Sequence, residues 1–181
     1  MATIVGTKFG DTLKGAGEAD YIFGFDGNDS IFGQGGGGGH FLDGGAGIDT
    51  ARYDDSTSGV SVNLLSSFGL GGTAEGDSYA SIESVVGSMY SDTLIGDNGG
   101  NMLVGGEGWD TLNGAGGGDL LIGGAGADTM YGGSGIDTAS YESASGPVYV
   151  FLGAHLGSDN DVAGGDRHTA DGIDDQGACS T

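Results

Sequence analysis

Positive charge is nearly absent from this chain: Lys and Arg together number 4 against 26 Asp and Glu, a formal net charge of −22 over 181 residues. Binding to phosphate backbones requires clustered Lys and Arg, so nucleic acid is excluded as a partner, and an anionic membrane surface is excluded on the same ground. Cysteine occurs once, at Cys179, which rules out an intramolecular disulfide. The longest apolar runs are a few residues, far short of the ~20 that a membrane span needs. The N-terminal run Met1-Ala2-Thr3-Ile4-Val5-Gly6-Thr7-Lys8 has no basic region followed by an apolar stretch, so no secretory signal is visible. That leaves a cytosolic protein, a fragment, or export by a route that does not read the N-terminus. Proline also occurs only once, whereas glycine fills 44 positions. So much glycine would signal a disordered low-complexity chain if it lacked a period.

It has a period of nine. Six contiguous nonamers begin at Gly87, Gly96, Gly105, Gly114, Gly123 and Gly132, and an earlier block begins at Gly6, Gly15 and Gly24, skips Gly33-Gln34, and resumes at Gly35 and Gly44. The fourth position is glycine except at Phe9, Glu18 and Tyr90. The sixth carries Asp11, Asp20, Asp29, His40, Asp49, Asp92, Asn101, Asp110, Asp119, Asp128 and Asp137. The eighth is apolar throughout, from Leu13 and Ile22 to Met130 and Ala139. Repeats at a fixed period indicate stacked units that bury a shared core only together.

Each offset has a physical reading. A glycine-rich hexapeptide makes a tight turn with exposed carbonyls. The three residues that follow, such as Thr111-Leu112-Asn113, suit a short strand with its middle side chain turned inward. Two nonamers then form one coil, and coils stack at the ~4.8 Å spacing of paired strands. Asp110 and Asp128 fall on one edge, Asp119 and Asp137 on the other. Carboxylates about 5 Å apart repel by up to ~3 kcal/mol at an effective dielectric near 20. A hard divalent cation that accepts carboxylate and carbonyl oxygens in irregular geometry relieves this, which is the chemistry of Ca²⁺. Its binding energy then becomes folding energy.

The pattern resembles the RTX (repeats-in-toxin, haemolysin-type) calcium-binding repeat, GGxGxDxUx with U a large apolar residue. The resemblance implies an all-β chain forming a parallel β-roll (an RTX β-solenoid), with Ca²⁺ held in the turns, in a bacterial protein secreted by the type I route and folded by extracellular calcium. Carried onto this sequence, the carboxylate ligands are Asp11, Asp20, Asp29, Asp49, Asp92, Asp110, Asp119, Asp128 and Asp137. Asp26 is an accessory ligand, and the carbonyls of Gly105, Gly108, Gly123 and Gly126 complete the shells.

A longer repeat spans the blocks: Gly44 to Leu64 is similar to Gly132 to Leu152, an offset of 88. Val60, Val62 and Leu64 correspond to Val148, Val150 and Leu152, a half-buried strand pattern. The expected organisation is two rolls joined by a strand-containing connector: residues 1–52 the first roll, 53–86 connector and cap strands, 87–140 the second roll, and 141–181 a degenerate connector and tail. Such connectors are similar to those of mannuronan epimerase repeat modules and serralysin-type proteases.

Several residues stand outside the pattern. His40 occupies an aspartate slot, as a transition-metal ligand or general base on one reading and a decayed calcium site on the other. The adjoining insertion and the run Gly35 to Gly39 favour the second. Asp43, Asp54, Asp55, Asp77, Asp97, Glu107 and Glu142 are irregular carboxylates of the type glycoside hydrolysis uses in pairs, with solvated surface as the ordinary alternative. Trp109, the only tryptophan, stacks on a sugar or covers the roll edge. His168 and Cys179 lie in the degenerate tail. The expected function is a calcium-binding, calcium-folded secreted module for folding and export support or a spacer. The alternatives are a small calcium-dependent hydrolase acting on polysaccharide and a carbohydrate-binding module. The partners are calcium ions and, on those alternatives, polysaccharide.

Overall fold

The computed structural model describes residues 1–34, 38–141, 149–151 and 167–169, the last two segments through their backbone alone. Gly35 to Gly37, Glu142, Val148, Leu152 and Cys179 lie outside the described residues, as does the His168 side chain. The first block contributes β1 (Thr3–Val5), β2 (Thr12–Lys14), β3 (Tyr21–Asp26), β4 (Ser30–Phe32), β5 (Phe41–Ala46) and β6 (Thr50–Arg52). The connector adds β7 (Ser61–Asn63), β8 (Phe68–Leu70), a single 3₁₀ turn at Gly72–Ala74, β9 (Ser78–Ala80) and β10 (Ser84–Val86). The second block supplies β11 (Thr93–Ile95), β12 (Met102–Glu107), β13 (Thr111–Asn113), β14 (Gly116–Gly117), β15 (Leu120–Ala125), β16 (Thr129–Tyr131), β17 (Ser134–Gly135) and β18 (Thr138–Ser140), followed by β19 (Tyr149–Phe151) and β20 (Arg167–Thr169). The chain is all-β, and its strands stack in parallel as a β-solenoid.

One face is a single sheet of eight strands in the order β2-β4-β6-β10-β12-β15-β18-β20, one strand per coil. The opposite face is divided into a four-stranded sheet, β1-β3-β5-β9, and a six-stranded sheet, β19-β16-β13-β11-β7-β8. The connector joins both blocks through the continuous sheet, since β10 pairs with β6 on one side and β12 on the other. Between these pairings the chain makes a hairpin, β7 antiparallel to β8. The hairpin starts the second stack on the divided face, where β7 pairs in parallel with β11.

Register places the eighth-position residues in columns. Leu13, Ile31, Ala51, Val85, Leu103, Leu121 and Ala139 form one column under the continuous sheet. Ile4, Ile22, Leu42 and Tyr79 face it in the first stack. Val62, Leu94, Leu112 and Met130 face it in the second. All of these are buried except Ile4, which packs against the core at its open end. Strand alternation also buries Val60 and Leu64 beside Val62, as the sequence pattern predicts. The core is therefore one side chain per strand, and neighbouring columns cannot fill a gap left in the stack.

Leu112, which is 0% exposed, tests this. Leu112→Ala is expected to cost about 2–5 kcal/mol in urea unfolding with saturating Ca²⁺, the range for a buried Leu whose surroundings relax only partly. The outward neighbour Thr111→Ala should change stability by about 0.5 kcal/mol or less.

Candidate metal centre in the stacked turns

The sixth-position residues stand in register along the edges, each immediately before a strand. On the edge leading into the continuous sheet the row is Asp11, Asp29, Asp49, Glu83, Asn101, Asp119 and Asp137. On the other edge Asp20, His40 and Asp77 form the first row, and Val60, Asp92, Asp110 and Asp128 the second. One hydrogen bond repeats along these rows: the main-chain N–H of a slot residue donates to the slot side chain one coil later. Asp29 N–H donates to Asp49 Oδ1 at 2.7 Å, Asp92 N–H to Asp110 Oδ1 at 2.8 Å, Asp110 N–H to Asp128 Oδ1 at 3.0 Å, and Asn101 N–H to Asp119 Oδ1 at 2.8 Å. Each carboxylate after Asp11 thus uses one oxygen to hold the preceding coil.

The other oxygen has one of two fates. In the turns that open each block, the second-position N–H donates to it: Thr7 to Asp11 at 2.6 Å, Ala16 to Asp20 at 2.9 Å and Ser88 to Asp92 at 2.6 Å. Asp97 N–H makes the same bond to the Asn101 side-chain oxygen at 2.7 Å. In the turns stacked on them, the second residue takes positive φ: Phe25 at 77°, Gly45 at 97°, Gly106 at 118°, Ala115 at 70° and Gly124 at 100°. There Oδ2 of Asp29, Asp49, Asp110, Asp119 and Asp128 is buried with no hydrogen-bond partner. A buried unpartnered oxygen costs about 1–3 kcal/mol, more when ionised.

These oxygens share a common surrounding. A Cβ built on Gly105 would collide with both Asp110 Oδ2 and the Gly123 carbonyl, so only glycine leaves room where the two oxygens approach. The Gly105 carbonyl and Asp92 Oδ2 crowd Gly87 in the same way, and the Gly108 carbonyl lies against the Cα of Gly126. Among the described residues no three Asp, Glu, His or Cys side chains converge on one point. A cation here must therefore draw on carbonyls as well as carboxylates. The donor set is entirely oxygen, partly main chain and irregular, and it fits Ca²⁺.

Burial governs the titration. It pushes the Asp110 and Asp119 carboxyls from 3.8 up to about 7, and raises Asp49, Asp92 and Asp128 as well. Asp20 moves the other way, held low by the N–H groups of Ala16 and Ala2.

The remaining candidates are dispersed. Asp26 ends β3, exposed. Asp43 lies on β5. Asp54 pairs with Arg52 at 3.0 and 3.1 Å, and Asp55 accepts from Gln34 Nε2 at 2.7 Å. Asp97 accepts from Gly99 N–H, Glu107 ends β12 exposed, and Trp109 is 74% exposed. Two slot residues escaped the nonamer pattern. Asp77 accepts His40 N–H at 2.7 Å, and Glu83 Oε2 accepts Asp49 N–H at 2.9 Å. Their signal is the triplets Asp77-Ser78-Tyr79 and Glu83-Ser84-Val85, acid and apolar residue two apart, but spaced by six rather than nine. The two-residue insertion also sits differently: Gly33 stacks on Gly15 as a turn opener, so the extra residues fall inside the turn that ends at His40.

The raised carboxyls make stability and calcium affinity depend on pH. A carboxyl whose folded pKa is raised favours the folded state fully below its unfolded pKa and loses that contribution as pH rises through the folded value. In EDTA, circular dichroism melts should therefore show the most stable fold near pH 4 and a loss of stability up to about pH 7. With Ca²⁺ present, protons compete for the same oxygens, and the calcium midpoint should rise as pH falls below about 7. Ala115→Gly, which removes a Cβ from a left-handed position at φ 70°, should raise stability by up to about 1 kcal/mol in a thermal melt.

No curated protein matches the chain significantly. Among solved structures it is similar to the extracellular lipase LipA from Serratia marcescens, with 17% identity and a TM-score of 0.34, over 86% of this chain and 33% of that one. The chain thus spans about a third of that lipase's length. The model of the RTX calcium-binding nonapeptide repeat (4 copies) matches residues 5–39, 86–121 and 104–139. Those segments hold the slot carboxylates Asp11, Asp20, Asp29, Asp92, Asp110, Asp119, Asp128 and Asp137, and through them the chain carries repeats of the RTX calcium-binding nonapeptide family.

Proposed function

We propose that this chain is a calcium-folded β-roll module of a secreted protein, serving as folding and export support or as a spacer. The observation that carries the reading is the buried, unpartnered Oδ2 of Asp29, Asp49, Asp110, Asp119 and Asp128. Anions that repel and lack donors oppose the stack until a divalent ion joins them to the turn carbonyls. Calcium would be held by these carboxylates with Asp137, by Asp11 and Asp92 in the opening turns, and by carbonyls such as those of Gly105, Gly108, Gly123 and Gly126. Asp26, exposed at the end of its strand, would add an accessory oxygen. The ion supplies positive charge and oxygen coordination. The chain supplies the spacing, the glycine clearance and the hydrogen bond that orients each carboxylate.

Export before folding is the role this chemistry suits. A chain with a net charge of −22 and a core one side chain deep has little to drive collapse where calcium is scarce, and it compacts where calcium is plentiful. Secretion by the type I route rests on the family resemblance.

Calcium titration of chelated protein, followed by circular dichroism and calorimetry, tests the reading. The expected result is β structure gained cooperatively with ion binding, and an unchanged spectrum between EDTA and millimolar Ca²⁺ would overturn it. Asp110→Asn should shift the calcium midpoint upward about tenfold, a loss near 1.4 kcal/mol, while making the EDTA state more stable by removing a buried charge. Asp26→Asn should shift the midpoint less, and Glu107→Gln, exposed beyond the slot, should leave it unchanged.

A further inference from the structure

The row Asp20, His40, Asp77 breaks the rule of the other rows, because its oxygens are satisfied by the protein itself. His40, 2% exposed, takes the aspartate role with its ring: Nδ1 accepts Asp20 N–H at 3.1 Å, as Oδ1 does elsewhere. The imidazole packs between the opener glycines Gly15 and Gly33, with Asp77 Oδ2 nearer still to Gly33, at 2.7 Å from a built Cβ. A Cβ on Gly15 would meet His40 Cε1 at 3.1 Å and Nδ1 at 3.2 Å, and one on Gly33 would meet Cδ2 at 3.4 Å. Both Asp20 oxygens accept main-chain N–H groups, from Ala2 and Ala16. Asp77, fully buried, accepts His40 N–H on Oδ1 and the Tyr53 hydroxyl on Oδ2 at 2.9 Å. With the Tyr53 proton committed there, the Tyr79 hydroxyl donates to Tyr53 at 2.6 Å. With Nδ1 accepting, the ring proton sits on Nε2, which is buried without a hydrogen-bond partner and has no lone pair for a cation, and both oxygens of the Asp77 carboxylate already accept hydrogen bonds.

The surroundings compensate for the missing ion with apolar burial. Tyr53, Val60, Ala74, Tyr79, Ile82 and Val85 are all buried at this junction. It is also where β9 and β10 close the first stack and β7 starts the second.

Resting on the calcium-folding reading, we infer that the His40–Asp77–Tyr53–Tyr79 cluster is a calcium-independent clamp, a turn interval that binds no ion and holds the junction in register so that calcium assembles the coils outward from it. The clamp supplies the second stack with a template, β10, against which β12 adds on the continuous sheet.

Hydrogen–deuterium exchange of the full chain in EDTA and in saturating Ca²⁺ tests it. In EDTA, segments 38–42 and 77–86 should keep at least about tenfold protection while 102–131 exchanges at unfolded rates, and calcium should protect both. Equal, unprotected exchange of all these segments in EDTA would overturn the clamp and leave the calcium-folding reading intact. Full protection of 102–131 in EDTA would overturn that reading, and the clamp with it. His40→Asp, which restores the slot carboxylate, should bind one more Ca²⁺ per chain than the wild type by calorimetry, and an unchanged stoichiometry would overturn the clamp. Tyr53→Phe should lower the EDTA protection of 77–86 without moving the calcium midpoint of 102–131, and unaltered protection would count against it.

Discussion

A single hydrogen bond governs this molecule: the slot residue of one coil gives its N–H to the slot carboxylate of the next. It sets the stacking distance, it orients the carboxylate, and it leaves one oxygen of each stacked turn facing inward. Five of those oxygens are buried without a protein partner. The same bond that orders the coils therefore creates an electrostatic debt that the protein does not settle by itself, because the chain has 4 Lys and Arg against 26 acids.

Glycine is the other half of the arrangement. The carboxylate oxygen, the opener glycine and the carbonyl one coil later approach so closely that a side chain at the opener is excluded. At the second position the requirement is conformational, and its tolerance is visible in Phe25 and Ala115, which hold positive φ in turns otherwise served by glycine. Opening turns differ because no regular turn lies beneath them: Thr7, Ala16, Ser88 and Asp97 keep their N–H groups on the slot side chain. The repeat is one in sequence and two in structure.

Much of this was legible in the residues. Leu13, Ile31, Leu103 and Leu121 were readable as one column, and Asp110 with Asp128 as neighbours on one edge, because both follow from an 18-residue coil. His40 was visible as an exception. What its ring replaces was not, because that depends on Asp77 and Tyr53, which are 37 and 13 residues away in sequence. Glu83 was missed for a related reason: the connector reaches its slot through a turn of three residues, six residues after Asp77, which has no place in a count of nines. The insertion read as preceding Gly35 instead falls after Gly33, since stacking on Gly15 outweighs the local resemblance of one glycine to another.

Sequence alone determined the coil, the inward column and the acidic slot, because each is a relation between residues at fixed short offsets that every repeat restates. The tertiary structure alone decided that one sheet runs unbroken through both blocks while the opposite face divides at a hairpin, and that Asp77 and Glu83 fill slots beside it. Those relations join segments that share no period. They are fixed by which unpaired strand edge and which free N–H remain once the repeats have stacked, and a local pattern carries no record of that remainder.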